Sequence, residues 1–186
     1  MLPQRIRKIS YSGIFIAMIM AIGYTLAYVP NFELVTTLIF LSGYFMGIRA
    51  GLMIGLVGEF LFSAFNPMGS GLNFPPMLIA QIFSMGIAGI CGGVIGNLTS
   101  KVQFKKFYIT IFGITGLLLT IIYTILVSMA FPISAGLEWN QVFGILLSGV
   151  VFSTMHIVMN FMVFTTLVPL ICIRINKSGI FNEIKN

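Results

Sequence analysis

The chain has 186 residues, of which 58% are hydrophobic and only 8% charged, with a net charge of +6. So few charges cannot cover a soluble globule of this size, so the sequence reads as a membrane protein. The composition also excludes a disordered tail, a collagen-like repeat and a disulfide-framed secreted domain.

A helical crossing takes about 20 apolar residues, so six crossings occupy about 120 and leave only short loops. The expectation is an all-α membrane protein, a single six-helix domain spanning residues 1–186. The apolar runs are continuous rather than alternating, which disfavours a β-barrel. The first run is Tyr11 to Val29, closed by Pro30. It lacks a cleavage site and reads as a retained helix. The second and third runs, Leu34 to Ile48 and Ala50 to Phe65, are short and separated by Arg49 among glycines. The fourth is Met77 to Leu98 and the fifth Phe107 to Phe131. The last, Val142 to Ile173, is too long for one crossing. It should divide into an interfacial or re-entrant piece and a helix from about Val150, bent near its end by Pro169.

Six crossings would place every cation on one face. Arg5, Arg7 and Lys8 precede the first run, and Arg49 follows the second. Lys101, Lys105 and Lys106 follow the fourth; Arg174, Lys177 and Lys185 follow the last. The positive-inside rule makes that face cytoplasmic, with both termini on it, in a cell membrane. The positive charge is a topology signal with a contact to anionic lipid, not a nucleic-acid footprint. Glu33 and Glu138 are the charges expected on the outer face. Its two turn-rich loops are Asn66 to Pro76 and Pro132 to Gln141.

Glu59 falls near mid-bilayer when counted from Arg49 at about 1.5 Å per residue. An ionisable group there is costly unless paired or protonated. It reads either as a ligand contact, an ion or a proton site, or as a protonated carboxyl bonded to a neighbouring helix. His156 and Asn160 are four apart and share a helical face with Ser153. They line a cavity or bond between helices. Gln81 lies in the same layer, with Asn66, Asn73 and Phe74 in one loop above it and Glu138 and Trp139 in the other. Trp139 alternatively belongs to an interfacial aromatic belt. Together these groups describe a mostly apolar cavity with a few convergent polar side chains.

Small residues recur at four-residue spacing: Ala17 and Ala21; Gly43, Gly47, Gly51 and Gly55; Gly89 with Gly93; Gly92 with Gly96. Such faces allow close helix contact, mostly inside the bundle. Cys91 and Cys172 fall inside apolar runs and read as small hydrophobes. There is no GxxxxGK[ST], HExxH, CxxC or carboxylate pair, and no inverted repeat. The chain therefore reads as no enzyme, with no cofactor and no metal. It also carries no ATPase of its own.

In size, helix count and topology the chain resembles the substrate-binding S-components of energy-coupling-factor (ECF) vitamin transporters. The resemblance rests on Ala17-xxx-Ala21, on the segment from Pro30 to Pro67 with its basic glycine turn, and on the glycine-rich run after PPMLIAQ. It implies one micronutrient bound from outside, at the loop Asn66 to Pro76, with Asn73 and Phe74, and at Gln81, Glu138, Trp139, His156 and Asn160; Glu59 joins the expected site by its depth. It also implies that Ala17 and Ala21 dock a membrane coupling subunit driven by two cytoplasmic ATPases. With no Lys or Arg on the outer face, a carboxylate-bearing ligand would lack a counter-ion. A neutral or cationic ligand is expected instead, such as riboflavin, a corrinoid, a queuosine-like nucleoside or thiamine. Two other readings are a membrane scaffold or assembly subunit without a ligand, and an intramembrane enzyme. The enzyme would require Glu59 and His156 to meet as an acid–base pair.

Overall fold

The computed structural model describes residues 3–99 and 105–181. Lys101 and Lys185 lie outside them. The described residues are helical throughout, without strands. The helices are α1 (Gln4–Leu26), α2 (Val35–Met46), α3 (Ile48–Ala64), α4 (Pro75–Thr99), α5 (Lys105–Ser134), α6 (Trp139–Ser148) and α7 (Val150–Ser178). Four of them carry membrane-length apolar stretches: Gln4–Leu26, Pro75–Thr99, Tyr108–Ser134 and Val150–Ser178. In α2 and α3 there are only 12 and 17 residues, about 18 and 26 Å of helix.

The long helices run between two ends of a bundle. We call the end where α4 and α7 begin upper, and the end where they finish lower. The long final run divides at Gly149, and α7 starts at Val150, as its length required. That helix continues through Pro169 to Ser178. Arg5, Arg7, Lys8, Arg49, Arg174 and Lys177 all sit on turns or helix ends at the lower side, and α5 starts there at Lys105.

Every residue of α2 is buried, with α1, α3, α4 and α7 packed around it. In lipid, apolar side chains gain little by leaving their surroundings, so close backbone packing must hold such a helix. Glycines provide it. A Cβ on Gly43 or Gly51 would run into the Gly89 carbonyl oxygen, and one on Gly89 into the Gly51 carbonyl. Cβ atoms on Gly92 and Gly96 would strike the carbonyls of Phe40 and Tyr44. The spaced small residues therefore pack α2, α3 and α4 against one another. Gly47 joins α2 to α3 at φ +91°, a conformation that side chains resist.

Aromatic rings fill the space beneath. Phe40 meets Phe112 and Phe164 edge-on, at centroid separations of 5.8 and 5.2 Å. Phe45 stacks on Phe181 at 5.0 Å. At the lower end the Tyr44 hydroxyl accepts from Asn176 Nδ2 at 3.2 Å, and the Tyr108 hydroxyl donates to the Thr99 carbonyl at 2.8 Å.

These contacts also set depth. Thr36, in the first turn of α2, touches Met85. Met85 lies about 15 Å below the start of α4 by helical rise. The top of α2 is thus sunk deep into the bundle, and the connection from α1 descends to meet it.

Candidate functional site

Sinking α2 moves Glu33. The sequence places it with the charges of an outer loop; the fold carries it down between helices, where it is half-buried. Its Oε2 accepts from the Thr36 backbone N–H at 3.0 Å and its Oε1 from the Thr36 hydroxyl at 2.6 Å, so the carboxylate also holds the first turn of α2 from just before its N-cap, Leu34. The Asn160 amide of α7 donates to the same Oε1 at 3.3 Å. That amide nitrogen also faces His156 Nε2 at 3.3 Å. The i, i+4 pair read from the sequence therefore does share a face, and Glu33 is what it faces.

Tyr123 of α5 completes the layer. Its ring lies 6.0 Å from that of His156, and its hydroxyl accepts from Gln81 Nε2 at 3.4 Å. Glu59 is only 2% exposed, and its Oε1 accepts from the Ser63 hydroxyl at 2.6 Å.

Above this layer is a cavity of about 440 Å³. Glu33, Tyr123 and His156 line it, with apolar Phe32, Phe62 and Phe152 among its walls. It reaches the surface beside the exposed Pro30 and Met68. Such a site can hold a small molecule with an apolar body and a polar or cationic group directed at the Glu33 carboxylate. Neither Lys nor Arg lines it.

The expected site residues divide into three groups. Asn66 and His156 line the cavity. Asn160, Gln81 and Glu59 stand behind its wall, the first two through hydrogen bonds to Glu33 and Tyr123. The remaining four lie elsewhere. Asn73 is exposed in a 3-10 turn, Gly71–Asn73, and Phe74 packs on Phe131 at 6.2 Å. Glu138 caps α6 in a capping box with Gln141, which explains that acid locally. Trp139 is 79% exposed and outside the cavity, as an interfacial aromatic would be. The hydrogen bonds of His156 and Glu59 run to Asn160 and Ser63 respectively, and no direct bond joins the two.

Sequence reasoning missed Glu33 and Tyr123 as wall residues. Glu33 lies in the sequence between the first two apolar runs, which gives it no depth. Tyr123 carried no signal beyond being an aromatic in an apolar helix. On the far side of α1, Ala17 and Ala21 are exposed beside Gly13, Ile14 and Met18, so that small-residue face is unused within the bundle. No protein-family model, no curated protein and no solved structure matches this chain.

Proposed function

We propose that this protein is a membrane-embedded capture subunit for a small molecule, of the kind the ECF S-component resemblance implies. It binds a neutral or cationic micronutrient from outside for ATP-driven uptake by partner subunits. The observation that carries this reading is a carboxylate, Glu33, held by Asn160 in the wall of a mostly apolar cavity with no lysine or arginine. A cavity of about 440 Å³ suits a vitamin-sized ligand, since such pockets run from roughly 300 to 1,000 Å³. A carboxylate-rich ligand would meet only repulsion there.

In this reading the chain crosses the membrane six times, α2 and α3 together supplying two short crossings. The lower end, which gathers the cations, is cytoplasmic and carries both termini. The exposed Ala17 and Ala21 face docks the coupling subunit, where small residues permit close helix approach. Two cytoplasmic ATPases supply the energy.

The test is mass spectrometry of small molecules released from the purified, detergent-solubilised protein. A single stoichiometric compound without free carboxylates, lost in Glu33→Gln, is expected. Finding no compound after growth in rich medium, and no thermal stabilisation by any of a panel of vitamins, would reject capture and favour a scaffold.

A further inference from the structure

Below the cavity, three helices each carry a buried oxygen without a partner. Glu59 Oε2 on α3, Gln81 Oε1 on α4 and Asn160 Oδ1 on α7 are buried and accept no hydrogen bond. Their neighbouring atoms are already engaged. Glu59 Oε1 holds the Ser63 hydroxyl, Gln81 Nε2 holds the Tyr123 hydroxyl, and Asn160 Nδ2 faces Glu33 and His156. Glu59 and Gln81 come level because Gly55, one turn below Glu59, abuts Met85, one turn below Gln81. Asn160 joins them through His156, whose ring lies 6.0 Å from that of Tyr123, the partner of Gln81.

What is left over among these atoms is one carboxylate oxygen and two amide oxygens. An orphaned polar atom in such a place is costly, and an unpaired carboxylate more so. Lys and Arg among the described residues sit at the other end of the bundle. The Glu33 carboxylate is hydrogen-bonded by Thr36 and Asn160, so Glu59 Oε2 is the carboxylate oxygen left without a partner. Hard oxygen donors with a single negative charge suit an alkali cation. Among the described residues no three His, Cys, Asp or Glu gather as a transition-metal site would require.

We propose that Glu59, Gln81 and Asn160 bind one monovalent metal cation, Na⁺, beneath the cavity. The cation fixes the Asn160 amide with its oxygen downward and its NH₂ on Glu33. It thereby positions the carboxylate that faces the cavity. The link to cargo rests on the proposed capture function; the cation site does not.

The experiment uses the full chain in detergent, without added ligand. Binding of ²²Na⁺ is measured by scintillation proximity. Thermal unfolding is compared in NaCl, KCl and N-methylglucamine chloride at equal ionic strength. Saturable binding of about one Na⁺ per chain, with stabilisation specific to Na⁺, is expected. Glu59→Gln, which keeps the shape and removes the charge, should weaken Na⁺ binding more than about tenfold. Absence of saturable ²²Na⁺ binding to the wild type overturns the proposal, whether or not the variant folds. It would mean that the Gln81 amide rotates to donate to Glu59. Stabilisation by acid in all three salts alike would overturn it too, by assigning the site to a proton. Na⁺ binding to a protein that releases no small molecule would retain the cation site while rejecting the capture function.

Discussion

Replacing Gly89 by alanine tests how the short central helices are held. The added Cβ would enter the Gly51 carbonyl and lie 3.0 Å from the Leu52 nitrogen, so backbone meets backbone and no rotamer can relieve the clash. Helices α3 and α4 must separate along the glycine seam that also seats Gly43 of α2. Overpacking costs about 1–3 kcal/mol, and a backbone contact belongs at the upper figure. Alanine's better helix propensity offsets about 1 kcal/mol, leaving a net loss of about 2 kcal/mol. At about 2–4 °C per kcal/mol for a chain of this length, Tm should fall by about 4–8 °C. The chain carries its own reporter: Cys172 is fully buried, so a thiol-reactive dye follows its exposure during heating. Gly13→Ala and Gly144→Ala are the controls, since nothing lies within 4 Å of either added Cβ. They should leave Tm unchanged or raise it slightly. An unchanged Tm in Gly89→Ala, or an equal fall in the controls, would refute the seam.

Three further outcomes follow from the geometry. Tyr123→Phe removes a hydroxyl from the cavity layer and should weaken the released compound's affinity by about 5- to 30-fold in a titration, whereas Trp139→Ala should not change it. Asn160→Leu deprives the Glu33 carboxylate of its partner on α7, costing about 1–3 kcal/mol, and should lower Tm in the same dye assay. An unaltered Tm would show that the bond is idle. Gly47→Ala meets no neighbour but must hold φ +91°, so strain alone should cost about 1–2 kcal/mol. Gly47→Asn should lose as much, because asparagine's tolerance of positive φ is confined to ψ near +50° and Gly47 has ψ 171°, and an unchanged Tm in both would argue against strain.

Much of the helix layout was legible because it depends on short stretches of chain. The division at Gly149 followed from length: the final apolar run exceeds one crossing. Packing by Gly43, Gly51, Gly89 and Gly96 followed from spacing, since four residues return to the same helical face. The pairing of His156 with Asn160 is the same periodicity acting on polar residues. Placement of the loop residues did not follow. Asn73, Phe74, Glu138 and Trp139 were grouped with the site because they precede or follow the right helices. Which way a loop side chain faces depends on contacts distant in sequence, such as Phe74 with Phe131.

Glu33 marks the boundary between the two kinds of information. By itself the sequence determines that the described residues are helical, that long apolar helices account for most of them, and that the cations among them lie together. Those properties are additive over residues, because lipid demands an uninterrupted apolar length and each helix satisfies its own backbone. Only the tertiary structure decides that a charge between two apolar runs sits deep among helices rather than above them. That depth is set by Thr36 against Met85 and by the glycine seam, which fix how far α2 slides along α4. A slide of one turn changes no residue's local preference, yet it would part Glu33 from Asn160. The polar layer around Glu33, Glu59, Tyr123 and Asn160 is therefore a property of helix packing, to which each helix contributes one or two side chains that its own sequence cannot align.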